Sequence, residues 1–127
     1  MHYVGRFRDE DLPPANTRLE GRVVNQTMKL LIDRRTGSQH MFLMVIRLEP
    51  GGVVKRHLHN FEEGYFFLQG EAMGEIDGQV RKFVPGDYCI VPADTTHRWW
   101  VEGNAPCQWI EMYAPQPPER GGTIWTE

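Results

Sequence analysis

The stretch Gly51–Gly70, G-G-V-V-K-R-H-L-H-N-F-E-E-G-Y-F-F-L-Q-G, decides how the rest of the chain reads. His57 and His59 are one residue apart in a strand-like run, and side chains alternate across a strand, so the two imidazoles share a face. Glu63 lies at an even offset further on and can rejoin that face. His97 closes a later segment, after Pro92-Ala93-Asp94-Thr95-Thr96. Three imidazoles and one carboxylate suit a single divalent transition metal: Fe, Mn, Ni, Zn, Co or Cu. With a dication and neutral imidazoles the shell keeps a net positive charge, and an octahedral ion would leave positions open for water, O₂ or a bidentate substrate. His2 and His40 have no such companions and read as ordinary histidines.

On both sides of this stretch, short β-like runs alternate with turn residues. Candidate strands are 22–24, 28–33, 40–48, 53–59, 64–69, 71–76, 80–84, 88–91, 98–102 and 107–113. Thr36-Gly37, Pro50-Gly51-Gly52, Asp77-Gly78, Pro85-Gly86-Asp87 and Gly103-Asn104 all favour tight reversals. Asp77-Gly78 is the strongest hairpin signal, because a type I′ turn needs positive φ at both central residues. No window holds a capped helical period, so the fold class is all-β, a sandwich or small barrel. Residues 1–20, with Pro13-Pro14, read as an extended arm, and the Pro- and Gly-rich stretch 115–127 as a surface tail. The runs Met41–Ile46 and Tyr65–Leu68 are apolar on both faces and require a cover on each side.

At 127 residues the chain supports one core and no second domain. A formal charge of −3 without a basic block gives no electrostatic footprint for nucleic acid. No apolar run approaches membrane-spanning length, and the N-terminus lacks a signal-peptide core, which points to a cytoplasmic protein with no membrane partner. Cys89 and Cys107 are too few for a disulfide scaffold and read as free thiols.

The segment Gly51–Gly70 matches G-x(5)-H-x-H-x(3)-E-x(6)-G at Gly51, His57, His59, Glu63 and Gly70. Gly86, Pro92 and His97 meet a second pattern, G-x(5)-P-x-G-x(2)-H-x(3)-N, in which Asp94 replaces the internal Gly and Val101 the final Asn. Asp tolerates the left-handed conformation that a glycine position demands. Over residues 40 to 114 the chain thus resembles a small single-domain cupin. The resemblance implies a jelly-roll β-barrel over residues 21–114 that holds one divalent metal through His57, His59, Glu63 and His97, and it implies a homodimer.

Period-2 alternation from the ligands places Lys55 and Val53 inward on one strand. On the others it places Tyr65, Phe67 and Gln69, and then Trp99 and Val101. Trp99, Phe67, Gln69 and Lys55 are therefore candidate substrate-pocket residues, and Tyr65 is the candidate hydrogen-bond donor or general acid. Trp100 should face outward, against another subunit. The expected function is a metal-dependent enzyme on a small oxygen-rich or aromatic metabolite. Dioxygenase chemistry ranks first, because this lining is aromatic and short of acid/base groups. The alternatives are a metal-dependent isomerase or lyase, or a non-catalytic binding module braced by its metal.

Overall fold

Pro50-Gly51-Gly52 does not reverse the chain. In the computed structural model, which describes residues 2–117 and 121–127, strand β3 (Phe42–His59) runs straight through it. The first half of β3, Phe42–Leu48, pairs with β9 (Cys107–Ala114), whereas Val53, Val54 and His57 pair with β8 (His97–Trp100). The strand thus changes walls at these glycines, the corner that closes a sandwich into a barrel. Gly51 sits at φ +76°, and Val101 clamps the bend: its carbonyl accepts from Gly51 N at 3.3 Å and its N–H donates to Gly52 O at 3.1 Å.

The remaining strands are β1 (Asn16–Arg18), β2 (Val23–Ile32), β4 (Glu62–Gln69), β5 (Ala72–Ile76), β6 (Gln79–Phe83), β7 (Tyr88–Val91) and β10 (Thr123–Trp125). They form an antiparallel jelly roll in the order β6-β5-β8-β3-β9-β4-β7, with β2 and β10 also beside β3 and β1 beside β2. Only two 3₁₀ turns, Asp9–Asp11 and Arg34–Thr36, interrupt the β structure among the described residues. The Asp77-Gly78 hairpin forms as its chemistry requires, with φ of 51° and 78° between the partners Ile76 and Gln79. Asp94, at φ 62°, adopts the left-handed conformation of the glycine it replaces.

Inside the barrel, Phe67, Phe83, Trp99 and Trp109 pack with ring centroids 4.8 to 5.8 Å apart, Phe67 on Phe83 stacked and the other pairs tilted or edge-on. Gly74 makes this possible, since a Cβ there would overlap the Trp99 indole and press on Phe83. The two-faced run at 41–46 is covered only in its second half: Met44, Val45 and Ile46 are buried, whereas Phe42 and Leu43 are half-buried and Met41 is exposed. The N-terminal arm is fastened to this side of the barrel by Thr27 Oγ1, which donates to Pro13 O at 2.6 Å, and by Gln108 Nε2, which donates to Asp9 Oδ1 at 3.1 Å. The second two-faced run is not covered, and Phe66 and Leu68 stay exposed. Trp100 is half-buried, with the Arg98 guanidinium 5.0 Å above its ring, so part of its cover comes from its own chain. Cys89 and Cys107 are free thiols, as expected.

Phe67 has no exposed surface, so Phe67→Ala should cost about 3–5 kcal/mol in urea unfolding. Leu68→Ala, on the exposed outer face, should cost about 0.5 kcal/mol or less. Equal costs at the two positions would contradict the assigned faces.

Candidate metal centre and its cavity

β3 and β8 lie side by side with His57 opposite His97, and β3 carries His59 one pleat further on. The ligating nitrogens of the three histidines lie within 4.8 Å of one another, and all three side chains are buried. Each Nδ1 is already committed. His57 Nδ1 lies 2.7 Å from Lys55 O, His97 Nδ1 3.0 Å from Thr95 O, and His59 Nδ1 2.9 Å from Thr123 Oγ1 and 3.3 Å from Gly122 O. A carbonyl can only accept, so each Nδ1 carries a proton, and the three Nε2 atoms face one another, each offering a lone pair once its ring is neutral. Such outer hydrogen bonds fix ring orientation and raise ligand basicity.

Glu63 begins β4 just after the turn that follows His59. Its Oε1 lies 3.2 Å from His59 Nε2 and 2.9 Å from His97 Nε2. Despite that proximity, Glu63 Oε1 and His97 Nε2 are buried without a well-directed hydrogen bond. Atoms brought together but left unpaired suit a common ion better than each other. Tyr65 takes up the other carboxylate oxygen, its hydroxyl donating to Glu63 Oε2 at 2.8 Å. Burial works against the Glu63 charge, but the His59 and His97 contacts outweigh it and hold the carboxyl below its usual range. Burial likewise opposes the charge on His97, yet Glu63 raises its pKa above the ordinary imidazole value. His57 is pushed down to about 3, by burial first and then by the His97 charge. Burial, reinforced by Glu111 and Glu63, keeps the Tyr65 phenol protonated well beyond its usual range.

The site opens into a cavity of about 120 Å³. Trp99 and Tyr65 line it, as alternation requires. Lys55 does not. β3 gains one residue relative to β8 between Val54 and His57, and this bulge turns Val54 inward and moves Lys55 off that face. Gln69 is exposed for the same kind of reason, an irregularity in β4 after Phe67. Phe67 points inward but into the aromatic core, not onto the cavity wall.

Among the further residues that reach the cavity and that the period-2 reading did not select are the polar or aromatic Arg18, Gln26, Glu111, Tyr113, Thr123 and Trp125. Glu111 was legible in part, because Trp109-Ile110-Glu111-Met112-Tyr113 alternates and sets a carboxyl on a face shared with two aromatics. It is buried and accepts from Trp109 Nε1 at 2.9 Å and from Tyr113 OH at 2.7 Å. Burial, followed by the nearby Glu63 charge, pushes its pKa up to about 7. Thr123 and Trp125 come from β10, where a surface tail was expected. β10 pairs with the end of β3, and the Trp125 and His57 ring centroids are 4.7 Å apart. The terminal Glu127 carboxylate lies 3.7 Å from Arg56 and 3.8 Å from Arg98, and both arginines also pair with Glu75.

The architecture is that of a small, single-domain jelly-roll barrel with a buried histidine triad positioned for metal binding. The chain belongs to the cupin family, whose cupin domain matches residues 44–113. Over 104 residues it is 29% identical to a 5-nitrosalicylic acid 1,2-dioxygenase from Bradyrhizobium sp., covering 80% of this chain and 50% of that protein. It is 28% identical over 93 residues to the tetracenomycin polyketide synthase protein TcmJ of Streptomyces glaucescens, covering 72% of this chain and 62% of that protein. The chain thus spans about half to three-fifths of the length of these curated relatives. Among solved structures, the polyketide cyclase RemF from Streptomyces resistomycificus superposes with a TM-score of 0.81 at 20% identity, over 98% of this chain and 87% of that one. KdgF from Halomonas sp. superposes with a TM-score of 0.73 at 16% identity, over 92% of this chain and 98% of that one. These likenesses establish the fold.

The proton on His97 must leave before its Nε2 can ligate an ion, and its pKa lies above the ordinary value, whereas His57 is already neutral. Metal affinity should therefore rise with pH through the His97 pKa and fall as pH drops below it; equilibrium dialysis of Co(II) between about pH 5.5 and 8 reads this directly, and a flat profile would contradict it. Thr123→Val removes the hydroxyl beside His59 but leaves the Gly122 carbonyl in place. It should weaken metal binding by about 10-fold, the low end for an outer-sphere partner. An unchanged affinity would show that Thr123 does not orient His59.

Proposed function

We propose that this cupin holds one divalent transition metal through His57, His59, His97 and Glu63 and is a metal-dependent enzyme acting on a small oxygen-rich or aromatic metabolite. The carrying observation is the convergence of three imidazole nitrogens with an unpaired, buried carboxylate oxygen beside an aromatic cavity. A divalent ion bound there supplies Lewis acidity towards a chelating oxygen pair and, as Fe(II), the means to use O₂. The chain's own residues supply the rest. Tyr65 holds Glu63 by its outer oxygen, Trp99 and Trp125 form flat walls, and β10 closes the site against water.

Dioxygenase chemistry ranks first. It is supported by the relative named for 5-nitrosalicylic acid and by the cavity volume, which suits one ring better than the fused rings of a polyketide. The cavity is not short of acid/base groups, however, because Glu111 and Tyr113 line it. A buried carboxyl with a pKa of about 7 can exchange a proton near neutrality, and this supports isomerase, lyase or cyclase chemistry as the second reading. Oxygen uptake separates the two. The first reading requires metal-dependent O₂ consumption with a hydroxylated aromatic acid or a diketone, and the second requires anaerobic turnover that Glu111→Gln abolishes.

His59→Ala should remove turnover and metal together while the barrel stays folded. Equal conversion by metal-free and metal-loaded protein would exclude both enzymatic readings. A metal that only raises the melting temperature, with no turnover, would leave a braced binding module.

The same proposal includes a homodimer in the cytoplasm. The exposed apolar side chains Phe66, Leu68, Tyr88, Ile90 and Met112 on β4, β7 and β9 support a covering partner, and no helix among the described residues is long and apolar enough to cross a membrane. A monomer in light scattering at micromolar concentration would refute the dimer.

A further inference from the structure

Arg18 ends the short strand β1 and lines the cavity together with the metal-site residues His57, His59 and Glu63. Its guanidinium donates to Gln26 Oε1 at 2.7 Å and to Asn16 Oδ1 at 3.4 Å, both neutral amide oxygens. Among the described residues it forms no ion pair, although nearly every other buried or half-buried arginine near the site has one, as Arg56 and Arg98 do with Glu75. The carboxyl that faces it across the cavity, Glu111, is taken up by Trp109 and Tyr113, so the half-buried guanidinium, held in place by amides and without a direct carboxylate partner, is free to meet an anion from outside. Trp99, which also lines the cavity, has a buried indole N–H without a partner. The walls between them are flat and apolar: Trp99, Trp125, Met28, Met44 and Ile46. The volume of about 120 Å³ is close to that of an apolar cavity of about 150 Å³ that takes up benzene.

Resting on the reading that this cavity takes a small aromatic or oxygen-rich molecule, we infer that Arg18 is its anion-recognising residue and that the ligand is a single planar ring bearing a carboxylate. The guanidinium fork matches the two carboxylate oxygens, the aromatic and thioether walls match the ring, and the volume is of single-ring size. Charge points the same way. With a dication, Glu63 ionised, neutral imidazoles and Arg18 the cavity carries a charge of +2, which Glu111 lowers to +1 when it ionises, so an anionic ligand is favoured in either state of Glu111. The residue comes from a segment with no ligand and no motif position, which is why only the folded chain brings it here.

Benzoate and benzamide share a shape and differ in charge. Both are titrated into the full chain, metal-free and Zn(II)-loaded, with the fluorescence of Trp99 and Trp125 as readout. The metal-free protein should bind benzoate at least tenfold more tightly than benzamide. Arg18→Met and Arg18→Gln should erase that preference while Zn(II) content and melting temperature stay as in the parent, and Arg18→Lys should keep part of it. A preference that survives both neutral substitutions, or a parent that binds the two probes equally, overturns the assignment. The metal-free arm separates this inference from the enzymatic proposal: loss of turnover or of metal binding leaves the benzoate preference standing, and loss of the preference leaves the metal site standing.

Discussion

Glu63 is a carboxylate with almost no exposed surface, set above a layer of packed aromatic rings. A charge in that position is tolerable only if cations or directed donors surround it, and the strands around it meet that need from three directions. β3 brings His59, β8 brings His97, and β4 itself brings Tyr65 two residues on. The arrangement of the mouth of the barrel follows from this one demand. The hydroxyl takes one oxygen and leaves the other facing the imidazoles, whose Nδ1 protons are spent on Lys55, Thr95 and the β10 segment. A metal ion would replace close but poorly directed contacts with coordination bonds, so the site is formed before it is loaded.

Strand geometry decides what else shares the space. The glycine corner at residues 51 and 52 lets one strand serve both walls, so the histidines at its far end face the inner surface that Met44 and Ile46 line at its near end. Two bulges then shift the alternation by one, one before His57 and one after Phe67. Each removes a polar side chain from the interior, Lys55 in the first case and Gln69 in the second. The cavity wall is left to Val54, and below it the core closes over Phe67.

The second buried carboxyl, Glu111, contrasts with the first. Glu63 is held ionised by imidazoles, whereas for Glu111 burial and the repulsion of Glu63 across the cavity outweigh the Trp109 and Tyr113 donors and the more distant His97 charge. Two carboxyls pushed in opposite directions within one pocket are the usual basis for dividing labour between a charged ligand and a proton carrier. The aromatic floor serves both, because it excludes water and lowers the local dielectric.

The jelly-roll class and the grouping of His57, His59 and His97 could be read from the chain itself. Turn chemistry is local, as at Asp77-Gly78, and ligand spacing on a strand is fixed by a period of two residues, as at His57 and His59. Asp94 was foreseen in its left-handed conformation for the same reason, since backbone strain depends on the residue that bears it. The remainder of the cavity was not legible. Bulges add residues without any mark in composition, so alternation carried past Val54 or Phe67 gives the wrong face. Arg18 and Trp125 lie roughly a hundred residues apart in sequence, and β1 and β10 are too short to show a period. They become strands only because β2 and β3 offer open edges to pair with, a condition that exists once the barrel has closed. The sequence by itself determined the fold class and the candidate ligands, because both are local patterns; the tertiary structure alone decided which further side chains face them, because that depends on register.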